Sequence, residues 1–312
     1  MCCVRQSFIL GAAGILNRTF RITSVASLST LRPTQVQSFS ALPDFKFTHA
    51  ITRAVPQSFA RCAVRMDTSH EICLSNAVHQ LQHYIESLQR CGVEIITLPA
   101  NEEAPDSVFI EDTALVIGQR ACLTRPALTS RRGEVPPVRD VLEKFGIETT
   151  ELDDPSALLD GGDIIYTGQE ILVGSSSRTN RAGIESLQRT FPEIPVTSIP
   201  IHGTLHLKSV ATLAEADLLV IGGSSAAQSI LQALKSRAQG QYRFLQLNGD
   251  VASNVINVNK NVLLKPAEEI GASDFKKLTE ALSVPWIEVP FSEFYKADGC
   301  LSCCSLLIQI NY

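Results

Sequence analysis

The chain has 312 residues, of which 45% are hydrophobic and 19% charged, and its formal net charge is -5 at pH 7. The negative charge and the absence of Lys/Arg runs argue against a surface for nucleic acid or for an anionic membrane. No apolar stretch approaches the ~18 residues of a membrane-spanning helix. We therefore expect a globular protein with neither a nucleic-acid partner nor a membrane partner.

The nine cysteines are an odd number, are scattered, and lack the paired spacing of a zinc motif. The adjacent pair Cys303-Cys304 is poorly placed for a mutual disulfide. A reducing compartment is the better interpretation of this pattern, and neither a metal nor a cofactor is expected.

Residues 1–43 differ from the rest of the chain, with four arginines, six serines and no acid before Asp44. Acid-free termini rich in Arg and Ser are typical of organelle transit peptides, and a disordered leader without an address is the alternative. We predict a leader at 1–43 and a single catalytic domain at 44–312. The expected location is the cytoplasm or the mitochondrion.

The first predicted helix carries apolar residues on one face, at Leu74, Val78, Leu81, Ile85 and Leu88. Their spacing of four and three residues is that of an amphipathic helix. Gly92 is expected to end this helix, and a strand follows over 93–99. An acidic loop at 101–106, an apolar run at 108–117 and a turn at Gly118 come next.

The same order of elements returns four times. Further helices are predicted at 138–145, 184–191, 226–234 and 275–282, with strands at 147–152, 196–199, 242–247 and 286–289. The equivalent strand positions Val93, Ile147, Val196, Phe244 and Ile287 are 54, 49, 48 and 43 residues apart. A period of about 50 residues indicates a repeat architecture whose units must pack on one another. Because radial closure removes long sheet edges, we predict an α/β fold built as a five-bladed pseudo-symmetric α/β propeller.

Polar residues occupy the loop that enters the equivalent strand of each repeat. Closure around an axis would bring these loops together, so we predict a shared pocket. Its members are Asp106, Glu111, Asp112, Asp160, Asp163, His206, Asn254 and Cys303. Cys303 is expected where the loop Asp298-Gly299 runs into a terminal apolar strand.

This set of residues suits one kind of chemistry. A thiol and an imidazole provide a nucleophile and a proton carrier, and a carboxylate can orient the imidazole. The additional acids would repel a thiolate unless a cation lay between them, and a planar guanidinium fits that requirement. His206 would then protonate the departing nitrogen. Arg131, Arg132 and Arg178 are available for the carboxylate of an amino-acid substrate.

Each of these residues also has a purely structural interpretation. His206 between two leucines can be a core histidine, Asp160 before two glycines can close a turn, and Cys303 can be a small buried hydrophobe. The Glu111-Asp112 pair is harder to explain in that way. Two acids that interrupt an apolar run would be buried at a cost, so a partner is expected.

Several runs resemble the dimethylarginine dimethylaminohydrolases. They are Phe109–Asp112, Thr124–Pro126, Ser130–Arg132, Leu159–Asp163, Arg178–Asn180, Leu205–Ser209 and Asp298–Ser305. The resemblance covers about Thr48 to Ile310. It implies the pentein fold of five ββαβ units, and the hydrolysis of N-omega-methylated arginine to citrulline and di- or monomethylamine. The intermediate would be a covalent thiouronium on cysteine.

The resemblance also implies a role for each residue of the motifs. Cys303 would be the nucleophile, His206 the general acid and later base, and Asp160 its carboxylate partner. The residues implied to contact the substrate are Val64, Asp106, Glu111, Asp112, Arg131, Arg178, Ala297 and Asp298. The partner would be a small molecule, with the protein a monomer or a homodimer. Val64, Cys300 and Ser302 stand where leucine, leucine and threonine are expected.

Two kinds of alternative stay open. Another guanidine-modifying pentein, an arginine deiminase or an amidinotransferase, would use the same groups, although deiminases usually carry a helical insertion that these short repeats do not accommodate. The chain could instead be a catalytically silent binding protein. In that case Cys303, His206 and two acids could ligate zinc.

Overall fold

The computed structural model describes residues 46–310. The leader predicted at 1–43 lies outside the described residues. The strands are β1 (His49–Arg53), β2 (Glu94–Leu98), β3 (Ala114–Ile117), β4 (Arg120–Leu123), β5 (Glu148–Thr150), β6 (Ile164–Tyr166), β7 (Ile171–Ser175), β8 (Val196–Pro200), β9 (Ala211–Glu215), β10 (Leu218–Ile221), β11 (Arg243–Gln246), β12 (Ile256–Val258), β13 (Asn261–Leu264), β14 (Trp286–Glu288) and β15 (Leu306–Ile308). The helices are α1 (Phe59–Cys62), α2 (Leu74–Arg90), α3 (Val135–Lys144), α4 (Arg181–Thr190), α5 (Ser225–Arg237), α6 (Ala267–Ile270), α7 (Ala272–Ala281) and α8 (Ser292–Tyr295).

These strands form five three-stranded sheets, ordered β15-β1-β2, β3-β4-β5, β6-β7-β8, β11-β10-β9 and β12-β13-β14. In four of them an antiparallel hairpin is followed by a helix and a third strand that pairs in parallel, as β4 does with β5. The first sheet is completed from the other end of the fold, because β15 pairs antiparallel with β1 at Ile308 and His49. The predicted five-bladed repeat, a pentein fold, is confirmed.

Short 3-10 helices precede the hairpins and position the polar residues. They are Ile110–Thr113, Gly161–Asp163, Leu207–Ser209, Val251–Ser253 and Leu301–Cys304. The helix Ile110–Thr113 contacts both Leu301–Cys304 and Gly161–Asp163, and the latter contacts Leu207–Ser209. The loops of different repeats therefore meet in the middle of the fold, as radial closure requires.

Helix α2 shows how packing selects a face. Its buried residues include Ala77, Leu81, Tyr84 and Leu88, whereas Val78 is 46% exposed. The predicted stripe agrees with the structure at Leu81 and Leu88 and is wrong at Val78, since Ala77 is the buried residue of that turn. Tyr84 contributes to this choice of face, because its ring is fully buried and its hydroxyl is 2.7 Å from Ser305 Oγ.

Two apolar runs begin in 3-10 helices and only later become strands. The run 108–117 is helical at first, and only Ala114–Ile117 is a strand. Thr113 Oγ1 donates to the Ile110 carbonyl at 2.7 Å and stabilises this turn. Likewise Cys303 and Cys304 lie in a 3-10 helix rather than at the start of the strand, which begins at Leu306. Within residues 46–310, no helix combines the length and the apolar character of a membrane span.

Candidate active site

A cavity opens where the loops of the repeats meet. Nine of the eleven residues that the sequence assigned to catalysis or substrate binding line it: Val64, Asp106, Asp112, Arg131, Arg178, His206, Ala297, Asp298 and Cys303. Asp160 and Glu111 lie behind this wall. The other two predicted pocket members, Asp163 and Asn254, are buried in hydrogen-bond networks outside the wall.

Cys303 and Cys304 have different surroundings although they are adjacent. Cys303 is half-buried and lines the cavity, whereas Cys304 has no exposed surface and packs in the apolar core with Leu301 and Phe294. Only Cys303 of the pair therefore faces the cavity, because the two residues follow each other in the turn of a 3-10 helix.

His206 is held from two sides. Its Nε2 atom is 3.1 Å from Asp160 Oδ2, and its ring lies flat against the backbone at Gly162. A Cβ atom at Gly162 would lie 2.6 Å from His206 Nδ1, so only glycine fits there. Asp160 itself accepts from the Ala127 N–H at 3.0 Å and lies 3.6 Å from the Arg178 guanidinium. Asp160 therefore supports the imidazole in addition to starting a turn.

The charge on His206 follows from its neighbours. Burial alone would lower its pKa, but the Asp112 carboxylate, the hydrogen bond to Asp160 and the charge of Asp163 outweigh burial and raise the pKa to about 9. At neutral pH the ring is therefore an imidazolium. It can donate a proton into the cavity that Cys303 also faces.

Asp112 is a permanently charged wall of the cavity. Burial disfavours its charge, but Arg131 and His206 more than offset this, and the pKa of Asp112 is lowered to about 2. Its Oδ2 is 2.5 Å from Arg131 Nη1, and its Oδ1 accepts from the Gly162 N–H at 2.8 Å. A cation entering the cavity therefore meets an ionised carboxylate.

Arg131 is largely occupied by the protein. Its Nε and Nη2 atoms donate to Glu134 at 3.1 and 2.8 Å, and Nη2 also donates to the Phe109 carbonyl at 2.9 Å. Nη1 donates to Asp112 and keeps one further N–H. Arg131 thus offers at most one donor to a ligand. Arg178, whose contact to Asp160 is longer, has more donors available.

Glu111 does not line the cavity and is held by partners within the protein. Lys208 Nζ lies 2.5 Å from Glu111 Oε1, and Ser302 Oγ donates to Oε2 at 3.1 Å. Burial raises the pKa of Glu111, with Lys208 acting against that rise. Through the Ser302 hydrogen bond, Glu111 holds the 3-10 helix that carries Cys303. Lys208 was not among the residues predicted for the site, although its place two residues after His206 in the Leu205–Ser209 motif was a signal.

Asp106 and Asp298 accept hydrogen bonds from backbone N–H groups. Asp106 accepts from the Val64 N–H at 3.1 Å, and Asp298 accepts from the Met66 N–H at 2.6 Å. We call residues 63–67 the lid segment, because it forms one side of the cavity while Val64 and Met66 are 53% and 77% exposed. Two buried or half-buried acids thus hold an exposed segment over the site.

The ionisation of Cys303 is opposed by its surroundings. Its pKa is raised well above the ordinary value by the contact with Cys300, by burial and by the negative charge of Glu111. Cys303 is therefore a neutral thiol in the free protein. A bound cation would favour the thiolate, since an opposite charge nearby stabilises the ionised form.

The remaining walls of the cavity include three apolar side chains that sequence reasoning missed, Phe109, Leu128 and Leu205. Phe109 and Leu205 lie within the motifs Phe109–Asp112 and Leu205–Ser209, but the sequence of a motif does not show the direction in which its apolar side chains point. Leu128 carried no signal at all. These side chains would cover the methylene groups of an extended aliphatic ligand.

One group of side chains could hold a cation. Ligand atoms of Asp112, Asp160 and His206 lie within 4.8 Å of one another in the described residues. Cys303 is not part of this group. The group therefore differs from the zinc ligands considered from the sequence, which were Cys303, His206 and two acids. The contacts described above already engage all three side chains.

Known proteins resemble the chain along most of its length. Human "Putative hydrolase DDAH2" is 32% identical over 271 residues, which cover 84% of this chain and 94% of the human protein. The N(G),N(G)-dimethylarginine dimethylaminohydrolase of Streptomyces coelicolor is 32% identical over 238 residues, with coverages of 76% and 87%.

A solved structure has the same fold. It is a cysteine-to-serine variant of DDAH from Pseudomonas aeruginosa complexed with citrulline, and its TM-score is 0.72 at 27% identity. The match covers 85% of this chain and 100% of that one. The family described as N,N dimethylarginine dimethylhydrolase, eukaryotic, matches residues 48–260. With five repeats, the His206–Asp160 pair and Cys303 facing one cavity, the chain belongs to the dimethylarginine dimethylaminohydrolase family.

Proposed function

We propose that this chain hydrolyses N-omega-methylated arginine to citrulline and di- or monomethylamine, with Cys303 as the nucleophile. The observation that carries the proposal is the shared cavity of Cys303, the His206 imidazolium and the ionised Asp112. Together they provide a sulfur, a proton and a negative charge for a guanidinium. Relatives support the substrate, since one DDAH structure contains citrulline and another is an adduct with S-methyl-L-thiocitrulline.

Binding begins with charge. Asp112 attracts the guanidinium, and Arg178, with the free Nη1–H of Arg131, receives the α-carboxylate. Asp106 and Asp298 hold the lid segment over the aliphatic part, and the Ala297 backbone lies beside it. Glu111 acts from behind through Lys208 and Ser302, so its role is to position the Cys303 loop.

The first chemical step forms the covalent intermediate. The bound cation favours loss of the Cys303 proton to solvent, and the sulfur attacks the central guanidinium carbon. His206 donates its proton to the methylated nitrogen, whose bond to carbon then breaks, and the methylamine leaves. The product of this step is a thiouronium on Cys303 and a neutral His206.

The second step releases citrulline. Neutral His206 takes a proton from water as the water oxygen attacks the thiouronium carbon. The carbon–sulfur bond breaks, the Cys303 sulfur is restored, and the new carbon–oxygen bond becomes the ureido group of citrulline. Asp160 holds the ring in place through both steps, because it contacts Nε2 from the protein side.

The experiment is a citrulline assay with three substrates. Purified protein is incubated separately with asymmetric dimethylarginine, monomethylarginine and arginine, and citrulline and amine are quantified. We expect turnover of the methylated substrates and little with arginine. Equal or faster turnover of arginine would assign the chain to the deiminases, and no citrulline from any of them would favour a binding protein.

The proposal includes a cytoplasmic or mitochondrial location, which the acid-free composition of residues 1–43 supports. Intact mass of the mature protein from cells tests this. A mass that lacks the leader is expected for an imported protein, and a full-length amino terminus in the cytosol would contradict import. The proposal assigns no nucleic-acid or membrane partner and leaves both a monomer and a homodimer open.

A further inference from the structure

A second cysteine lies beside the proposed nucleophile in an unusual arrangement. Cys300 is the N-cap of the 3-10 helix Leu301–Cys304, and Cys303 is its third residue. The Cys303 N–H bonds to the Cys300 carbonyl at 3.1 Å, and the Cys300 N–H bonds to Cys303 Sγ at 3.4 Å. The Cys300 sulfur in turn accepts from the Cys303 backbone. Each sulfur therefore accepts a hydrogen bond from the backbone N–H of the other residue.

This arrangement suits an intramolecular disulfide. Cys300 and Cys303 are three residues apart at the start of a 3-10 helix, where a rise of ~2.0 Å per residue separates their Cα atoms by about 6 Å. Disulfides span Cα separations of about 4.4–6.8 Å. Cys304 does not compete for the bond, because its side chain points into the apolar core.

The two sulfurs differ in their access to solvent. Cys303 lines the cavity, whereas Cys300 is only 9% exposed and does not line it. A small oxidant that enters the cavity therefore reaches Cys303 first. Cys300 lies next to Cys303 but outside the cavity wall. The contact with Cys303 lowers the pKa of Cys300 to about 7, which favours a thiolate ready to react.

We propose that Cys300 and Cys303 form an oxidative modification site, at which a hydroperoxide converts the pair into a disulfide and reversibly removes the nucleophile. The consequence for activity rests on the proposed function, but the modification does not. None of the described cysteines is paired in the reduced structure, so both thiols are available.

The reaction has two steps. The Cys303 sulfur attacks one oxygen of the hydroperoxide and gives its thiol proton to the departing oxygen, the oxygen–oxygen bond breaks, and sulfenic acid and water or alcohol form. The Cys300 thiolate then attacks the sulfenic sulfur, the sulfur–oxygen bond breaks with uptake of a proton, and water leaves. Two electrons pass from the thiols to the peroxide. An external dithiol reverses the change by disulfide exchange.

The test treats the full-length protein with hydrogen peroxide and measures mass, activity and recovery with dithiothreitol. Trypsin releases residues 297–312 as one peptide, because no Lys or Arg follows Lys296. We expect this peptide to lose two hydrogen masses, with Cys304 still free to alkylate. Activity should fall with the same time course and return after dithiothreitol. A peptide that gains oxygen atoms without a disulfide, or a disulfide that includes Cys304, would overturn the proposal.

Two variants make the test specific. Cys300→Ser keeps an N-cap oxygen for the 3-10 helix and should retain activity, but Cys303 should then proceed to sulfinic acid. Dithiothreitol should recover roughly tenfold less activity than in the wild type. Cys304→Ala is the matched control and should behave as the wild type. Full recovery in Cys300→Ser would show that Cys300 is not the resolving residue.

The readouts separate this inference from the proposed function. Disulfide formation without methylarginine turnover would leave the modification site standing and remove the proposed function. Methylarginine turnover without disulfide formation would support the proposed function and overturn the modification site.

Discussion

The two sides of the cavity are built differently. On the His206 side, carboxylates contact cations that the protein itself supplies, as in Asp160–His206 and Asp112–Arg131. On the lid side, Asp106 and Asp298 contact backbone N–H groups of an exposed segment. Buried ion pairs fix geometry before any ligand arrives, whereas hydrogen bonds to an exposed segment are weaker and exchange with water. The first side is suited to chemistry and the second to admission of the ligand.

The largest expected effect on activity comes from the nucleophile, Cys303, which we group with the His206 side of the cavity. Cys303→Ser should abolish turnover, a loss of about a thousandfold or more, because a serine hydroxyl is a far weaker nucleophile without a strong base. Steady-state citrulline formation measures this loss. Acid-quenched mass spectrometry of the wild type should show the thiouronium on the peptide that contains Cys303.

Cys304→Ser is the matched control for that change, since it alters the neighbouring residue of the pair. It should mainly lower the melting temperature, because Cys304 packs in the apolar core. An adduct on Cys304, or full activity in Cys303→Ser, would reverse the assignment of the nucleophile.

The next largest effect is expected for Asp160→Asn, which weakens the contacts on the His206 side and leaves Cys303 unchanged. The variant should lose about a hundredfold in kcat, within the range for general acid–base groups. Because the Asp160 hydrogen bond is one cause of the raised His206 pKa, the alkaline limb of the pH–rate profile, near pH 9 in the wild type, should move to lower pH. A profile that keeps its alkaline limb would show that Asp160 does not control the imidazole.

The same pKa shift predicts a pH dependence of stability. The pKa of His206 is raised from its ordinary 6.5 to about 9 on folding. Its protonated form therefore contributes stability fully below pH 6.5, and that contribution is lost as the pH rises through about 9. Urea unfolding of the wild type and His206→Asn at pH 6 and pH 10 measures this contribution. The free energies of unfolding of the two proteins should differ more at pH 6 than at pH 10.

An intermediate effect is expected at Glu111→Gln, which removes the partner of Lys208. Loss of one charge-assisted bond costs about 1.5–3 kcal/mol, so kcat/KM should fall roughly tenfold. Since Glu111 acts through the Cys303 loop, the fall should appear mainly in kcat. Glu193→Gln, an exposed acid paired with Arg120, is the control and should leave both constants unchanged. A pure KM effect would place Glu111 in contact with the substrate instead.

The smallest effect belongs to the lid side. Asp298→Asn should weaken the bond to the Met66 N–H, worth about 0.5–1.5 kcal/mol, and raise KM about threefold with little change in kcat. Substrate-dependence curves for the variant and the wild type measure this. A large loss of kcat would mean that the lid segment also orders the reacting groups, and the contrast between the two sides would fail.

The repeat and the motifs were readable in the sequence because helix and strand periods leave a pattern that recurs about every 50 residues. Side-chain direction inside the 3-10 turns was not readable. Asp112 faces the cavity and Glu111, its neighbour, faces Lys208, and no periodicity separates two adjacent acids. The ion pair between Arg131 and Glu134 could not be predicted either, because it depends on a three-residue spacing inside a short 3-10 helix.

The pairing of β15 with β1 has a consequence for how the protein is made. During synthesis, the edge of β1 that β15 covers has no partner until residues 306–308 emerge, after all the other strands. An uncovered apolar edge invites pairing with other chains, and contacts of high sequence separation form slowly. Cys303 lies directly before β15, so the reactive thiol and the strand that closes the ring leave the ribosome together. A nascent chain therefore has neither its nucleophile nor a closed ring until nearly the whole domain has been translated.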